Sequence, residues 1–415
     1  MNGISSHDRD VLRRLAEQKA QIASLPIHRY TADEWARNNS MRPGKPMVWI
    51  DEICWNEFPD EQLRPQIEDP FLRRIEVALR REIYQWQHMP VDMVVEPVVH
   101  CPMAIDDGDF GIAVQADRLK LDESSDIVSR RFHGQFESEK DIEKIRMPVV
   151  VHDEAESQRR YCLLMDTIGD ILAIEMRGRA GAWFAPWDEL VQWWGVEEAL
   201  TDLTMRPELI HAAMDRLVSA WLSRLEQWER LELLSLNNGN VRVGSGGPGY
   251  TTELPSRQFN PAHVRAGDLW GCATAQIFGD VSPAMHDEFA LNYERRWLDR
   301  FGLTYYGCCE PLHTKADILR AIPNLRKVSV SPRAEVAAAA ANMGDRYVLS
   351  IKPNPAVLAG QRWDPAAVRR DLEELLRRAR GCVVEIIMKD ISTVRYEPQR
   401  LFDWARIAAD VADEF

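Results

Sequence analysis

Residues 303–313 read Leu303-Thr304-Tyr305-Tyr306-Gly307-Cys308-Cys309-Glu310-Pro311-Leu312-His313. The apolar and aromatic run stops at Gly307, and Pro311, which has no amide hydrogen for a ladder, ends the strand and starts a loop. Two thiols, a carboxylate and an imidazole are thereby gathered just past a strand end. Outward from this stretch the pattern repeats. Strands are expected at 303–308, 326–330, 346–351 and 382–388, and helical segments follow at 315–322, 333–343, 364–380 and 398–412. Alternation of this kind specifies parallel strands joined by right-handed helical crossovers. These units are half of an eight-unit barrel, and the chain before them is long enough to supply the other half. The fold class expected is therefore α/β, a (β/α)8 TIM barrel with an N-terminal helical extension. An open doubly wound sheet would carry a phosphate-binding turn near its first strand, and none is found.

Each strand of the series ends in polar residues: Cys308-Cys309-Glu310, Ser329-Val330-Ser331, Lys352-Pro353-Asn354 and Met388-Lys389-Asp390. In a barrel these ends converge on one mouth, which is where ligands bind. Glu310, Lys389 and Asp390 are accordingly the candidate catalytic residues, with Tyr305 and Lys352 as candidate substrate contacts. Neighbouring side chains of a strand point to opposite faces, so one of Cys308 and Cys309 is expected to face a given site. Glu385, inside the apolar run of the last strand, needs a partner, and a structural ion pair is its plainest use.

Upstream, 7–24 has helical spacing, 38–46 is a loop, and 47–50 is a short strand leading into Asp51-Glu52. The stretch 60–88 is again helical, so residues 1–89 are assigned to the extension and 90–415 to the barrel. The β-branched run from Val91 to Pro102 reads as a strand ending at His100-Cys101, and Glu96 and His100 are further candidate substrate contacts. Residues 118–160 are polar and irregular, as in an insertion or lid. Strands are expected at 161–165 and 171–176, and a long helix at 207–236, where Pro207-Glu208 suits a helix start. The glycine-rich stretch 241–253 lacks the lysine and the following helix of a phosphate loop. It reads as a strand feeding a loop whose glycines let backbone approach a ligand.

The chain of 415 residues carries a formal net charge of -14, and its arginine pairs lie among acids, which argues against a nucleic-acid surface. Seven cysteines, an odd number and widely spread, are not a disulfide framework; reduced thiols and a cytoplasmic location are expected. No apolar run reaches the length of about 18 residues that a membrane span needs, and no signal core is seen near the N-terminus. Fourteen tryptophans suit an aromatic-lined pocket or a large core.

With these residues in view, the sequence resembles the uroporphyrinogen decarboxylase superfamily, and more particularly its barrel methyltransferase branch, which serves corrinoid proteins. The resemblance is best from about residue 240 onward and absent from roughly the first 60 residues. In that branch a His-x-Cys-Gly motif at a strand end supplies zinc ligands, completed by a cysteine near the last strand. Cys309 matches the motif cysteine, whereas Gly307 stands at the histidine position and Glu310 at the glycine, and Met388-Lys389-Asp390 contains no cysteine. The resemblance implies zinc held by Cys308, Cys309 and His313, with Glu310, His100 or Asp390 available to complete the set. The arginine-bearing loop with which the family namesake holds porphyrinogen carboxylates has no counterpart here.

The leading expectation is transfer of a methyl group from a small O-, N- or S-methylated substrate to a corrinoid on a separate partner protein, with zinc as Lewis acid. A homodimer is compatible with this reading; nucleic acid and membrane are not expected as partners. Two alternatives stay open at this point. One is a metal-independent decarboxylase or lyase using Asp390, His100 and Lys389 as acid-base groups. The other is a barrel without activity that binds a small aromatic or tetrapyrrole-like ligand.

Overall fold

The computed structural model describes residues 4–120 and 128–415. Residues 121–127, part of the expected insertion, and Met1 to Gly3 lie outside the described residues. The chain is α/β. Its main sheet has six parallel strands, in the spatial order Met47–Ile50, Val384–Met388, Val348–Ile351, Leu325–Val330, Leu303–Tyr306 and Trp270–Ala273. Four of these strands are the ones expected from the alternation, three of them two residues shorter and Leu325–Val330 one residue longer. The helices after them are Ala316–Leu319, Val336–Met343, Pro365–Arg378 and Gln399–Glu414. All residues of Val348–Ile351 and Val384–Met388 are buried, as continuous apolar runs require of strands covered on both faces.

Met47–Ile50, from the segment assigned to the extension, is an edge strand of this sheet, paired with Val384–Met388. A second parallel ladder joins Val98–Pro102 to Ala173–Arg177, and an isolated parallel bridge joins Arg179 to Leu234. Among the described residues the continuous ladder therefore has six strands, where an eight-stranded closed ladder was expected. No helix among them is long and apolar enough to cross a membrane.

Three local expectations are corrected. Residues 161–165 lie inside the helix Glu154–Ile168, because Asp153 caps its N-terminus by accepting from the Glu156 amide, and this start overrides the strand propensity of Tyr161 and its neighbours. The strand expected from Val91 begins only at Val98. The stretch 241–253 forms no ladder strand, only an isolated bridge between Arg242 and Pro248 within a tight glycine loop. The long helix is present as Pro207–Arg230 and the N-terminal helix as Ser6–Ala23.

The register sets a polar row on one face of the main sheet. Tyr305 lies opposite Lys327, Ser329 opposite Ser350, and Ser350 opposite Glu385. Lys327 Nζ and Glu385 Oε2 are 2.9 Å apart and both side chains are fully buried, with the Lys327 ammonium over the rings of Trp35 and Trp270. Glu385 is thus the structural ion pair anticipated. The glycine loop presses on this row: a Cβ at Gly244 would stand 2.5 Å from Tyr305, and Gly244 has φ +56°. Only glycine lets the loop come so close.

Candidate active site

The carboxyl ends of Leu303–Tyr306 and Val384–Met388 open on a cavity of about 660 Å³. Its lining includes Glu52, Trp183, Arg242, Ser245, Cys308, Lys389 and Asp390. Cys308 is held at three points. Its amide donates to Glu310 Oε2 at 2.9 Å, its carbonyl accepts from Ser329 Oγ at 2.7 Å, and Lys389 Nζ stands 3.6 Å from its sulfur. Gly307, at φ +95°, makes the turn that presents it.

Lys389 also meets Asp390 Oδ2 at 2.6 Å and Glu52 Oε2 at 3.4 Å. Arg242 closes the network, with Nη1 at 2.8 Å from Glu52 and Nε at 3.0 Å from Asp51. Glu52 and Asp390, the two carboxylates on Lys389, both have left-handed backbone, with φ 51° and 55°. Such conformations are sparsely populated for these residues and collect at functional sites.

The charges shift one another. The hydrogen bond from the Cys309 thiol pulls the Cys308 thiol down, burial opposes it, and the ammonium groups of Lys389 and Lys352 add to the fall, which reaches about 7. Burial works against the Lys389 charge, but Cys308, Asp390 and Glu52 outweigh it and raise its pKa. Burial would also raise Glu52; the hydrogen bond with the Asp390 side chain, Arg242 and Lys389 overcome it and lower Glu52 to about 2. Asp390 is raised, first by burial and then by its contact with Glu52. This sets a thiol lowered toward neutrality against an ammonium beside a cavity, a nucleophile or proton acceptor next to a proton donor.

Tyr305 and Lys352 lie behind this wall. Lys352 Nζ donates to the Tyr305 hydroxyl at 2.7 Å and to Ser329 Oγ at 2.9 Å, and the Tyr305 hydroxyl pairs with Ser245 Oγ at 2.9 Å. Burial lowers Lys352 to about 8. Both residues therefore reach the cavity through Ser245 and Cys308.

The remaining predicted residues lie elsewhere. Glu310 is buried with its oxygens committed to the Thr274 hydroxyl and to the amides of Ala275 and Cys308, so it shapes the turn and does not line the cavity. His313 is outside the lining, and its carbonyl accepts from Asn342. Cys309 is exposed, and because the strand ends at Tyr306 alternation does not separate the pair: its sulfur is 3.6 Å from that of Cys308. Glu96 accepts from the Tyr250 hydroxyl at 2.8 Å, and His100 lines separate cavities, with Glu175 at 3.8 Å. The trio Asp390, His100 and Lys389 is not assembled around the cavity at Cys308.

The donors named for zinc do not fit the ion as they stand. Among the described residues no three His, Cys, Asp or Glu side chains are grouped so that they could hold a metal. Beside Cys308 the neighbouring position is taken by the Lys389 ammonium. Arg242, Asp51, Glu52 and Ser245 were missed by sequence reasoning. Asp51-Glu52 directly after a strand was a usable signal; the pairing of Glu52 with Arg242, 190 positions away, was not.

No family model and no curated protein matches the chain. Its fold is similar to that of a methyltransferase from Methanosarcina mazei, with a TM-score of 0.53 and 12% identity, over 93% of this chain and 98% of that one. At that identity the likeness is one of fold.

Proposed function

We propose that the protein is a methyltransferase that binds a small O-, N- or S-methylated compound in the cavity at Cys308 and Lys389. The observation that carries the reading is the Cys308 sulfur and the Lys389 ammonium, 3.6 Å apart, on a cavity of about 660 Å³ at the strand ends. Removing a methyl group from oxygen, nitrogen or sulfur leaves an electron pair on that atom, and a proton delivered there makes the departure easier. Lys389 and Asp390, which line the cavity, are the proton donors in this reading, and solvent returns the proton they give up. The likeness of fold to a methyltransferase is in keeping with this.

The acceptor in this reading is a corrinoid carried by a separate protein that meets the cavity mouth, which rests on the family resemblance. Zinc is given no step, because Glu310 and His313 would have to leave their present places to join the thiols. For the architecture we propose that the six-stranded sheet and the ladder Val98–Pro102 with Ala173–Arg177 are arcs of one (β/α)8 barrel formed by residues 90–415 together with the strand Met47–Ile50 of the 1–89 extension. The parallel bridge Arg179–Leu234 and the bond from the Trp270 amide to Asn237 Oδ1 at 2.8 Å, between the two arcs, support this.

The test is spectroscopic. Full-length protein is mixed with free cob(I)alamin and a panel of methyl ethers, methylamines and methyl thioethers, and methylcobalamin formation is followed. Turnover with one donor class, slowed about tenfold or more by Lys389→Met, is the expected result. Absence of methyl uptake with every donor, together with carbon dioxide release from carboxylated analogues, would overturn the reading in favour of a lyase.

A further inference from the structure

We infer that Cys308 and Cys309 form a vicinal dithiol that hydrogen peroxide oxidises to a disulfide, a covalent modification that withdraws Cys308 from the cavity. Consecutive residues of a regular strand send their side chains to opposite faces. Here the strand ends at Tyr306, and the left-handed Gly307 turns the chain so that the two sulfurs lie 3.6 Å apart. A Cβ at Gly307 would lie 2.5 Å from Leu312 Cδ1, so the turn that brings the thiols together depends on glycine. The two sulfurs also differ in setting. Cys308 is buried against the Lys389 ammonium, which favours its thiolate, and Cys309 is exposed. A peroxide-reactive thiolate with a second thiol within reach is the arrangement that proceeds to a disulfide and avoids over-oxidation.

The chemistry balances with peroxide as the oxidant. The Cys308 thiolate attacks one peroxide oxygen, the O–O bond breaks, and the departing hydroxide is protonated to water, leaving a sulfenic acid. The Cys309 sulfur then attacks Cys308, an S–S bond forms, the S–O bond breaks, and the hydroxide leaves as water with the Cys309 proton. Two thiols are oxidised and one peroxide is reduced to two waters. Bonding requires the sulfurs to close to about 2.05 Å in a small ring that contains the 308–309 peptide, and a strained ring of this kind is easily reduced by a dithiol. Oxidation leaves Lys389 with Asp390 and Glu52 but without its thiolate. None of this depends on the methyl-transfer reading.

Full-length protein is treated with stoichiometric hydrogen peroxide, remaining thiols are blocked with N-ethylmaleimide, and non-reduced peptides are mapped by mass spectrometry. The peptide carrying Cys308 and Cys309 is expected to lose two hydrogen atoms, take up no maleimide, and recover both thiols with dithiothreitol. Cys309→Ser should instead yield a sulfenic acid on Cys308 that dimedone traps. Without any substitution, phenylarsine oxide, which bridges neighbouring thiols, should protect both residues from maleimide. Wild-type Cys308 accumulating as a dimedone adduct or sulfinic acid, with Cys309 still reactive to maleimide, would overturn the proposal.

Discussion

Lys389 Nζ lies 3.6 Å from Cys308 Sγ, so that two strand ends 81 positions apart in the chain meet at one sulfur–ammonium contact. The contact is held from behind: the Cys308 amide and carbonyl are bound by Glu310 and Ser329, and Ser329 accepts in turn from Lys352. Its consequences can be measured without knowing the substrate.

Replacing Lys389 by methionine removes an ammonium charge that keeps Cys308 low. The Cys308 thiol, at about 7 in the wild type against the usual 9.0, then moves upward. Alkylation of Cys308 by iodoacetamide at neutral pH should slow by about fivefold or more, since the thiolate is the reacting form. Peptide-resolved rates across pH would show the midpoint rising; an unchanged midpoint would mean that the Cys309 hydrogen bond and Lys352 set it without Lys389.

Lys327→Met leaves Glu385 fully buried without its cation. Breaking such a pair costs about 3–5 kcal/mol, whereas replacing both partners by apolar residues restores most of it. Urea denaturation of Lys327→Met and of Lys327→Met with Glu385→Leu should show this loss and recovery.

Glu294 supplies a pH dependence. Burial raises its carboxyl from the usual 4.5 to about 8, with the Tyr306 hydroxyl donating to it at 2.7 Å. The folded state therefore holds a proton that the unfolded state releases. The stabilisation is complete below about 4.5 and is lost as pH rises through about 8. Glu294→Gln keeps the shape without the titration, so its stability relative to wild type should increase across this window by on the order of 5 kcal/mol. Parallel curves for the two proteins would contradict the assignment.

Gly307→Ala forces a side chain into left-handed backbone and against Leu312 and Ser329. A cost of about 1–3 kcal/mol is expected, together with slower alkylation of Cys308 as its turn is displaced. Adding Leu312→Ala relieves the clash but not the backbone strain, so recovery should be partial.

Much of the architecture was legible because it rests on local signals. The last four strand–helix units follow from hydrophobic alternation and from turn residues such as Gly307 and Pro311. Tyr161 to Met165 misled because β-propensity there is overridden by the Asp153 cap and by packing of the helix Glu154–Ile168. Of the site, Cys308, Lys389 and Asp390 were found as polar residues past strand ends. Glu96 and His100 met the same criterion and lie in other cavities, since an end-of-strand position does not say which way a side chain opens.

From the chain alone one can read that strands alternate with helices, that polar residues gather at the strand ends, and that an acid within an apolar strand needs a partner. These follow from periodicity and from the cost of burying charge. Only the folded chain settles which groups meet. It pairs Glu385 with Lys327, binds Glu310 to backbone amides, sets Lys389 beside Cys308, and brings Arg242 to Glu52. The physical reason is that strand order and register place residues far apart in sequence within a few ångströms, and no local pattern encodes that distance.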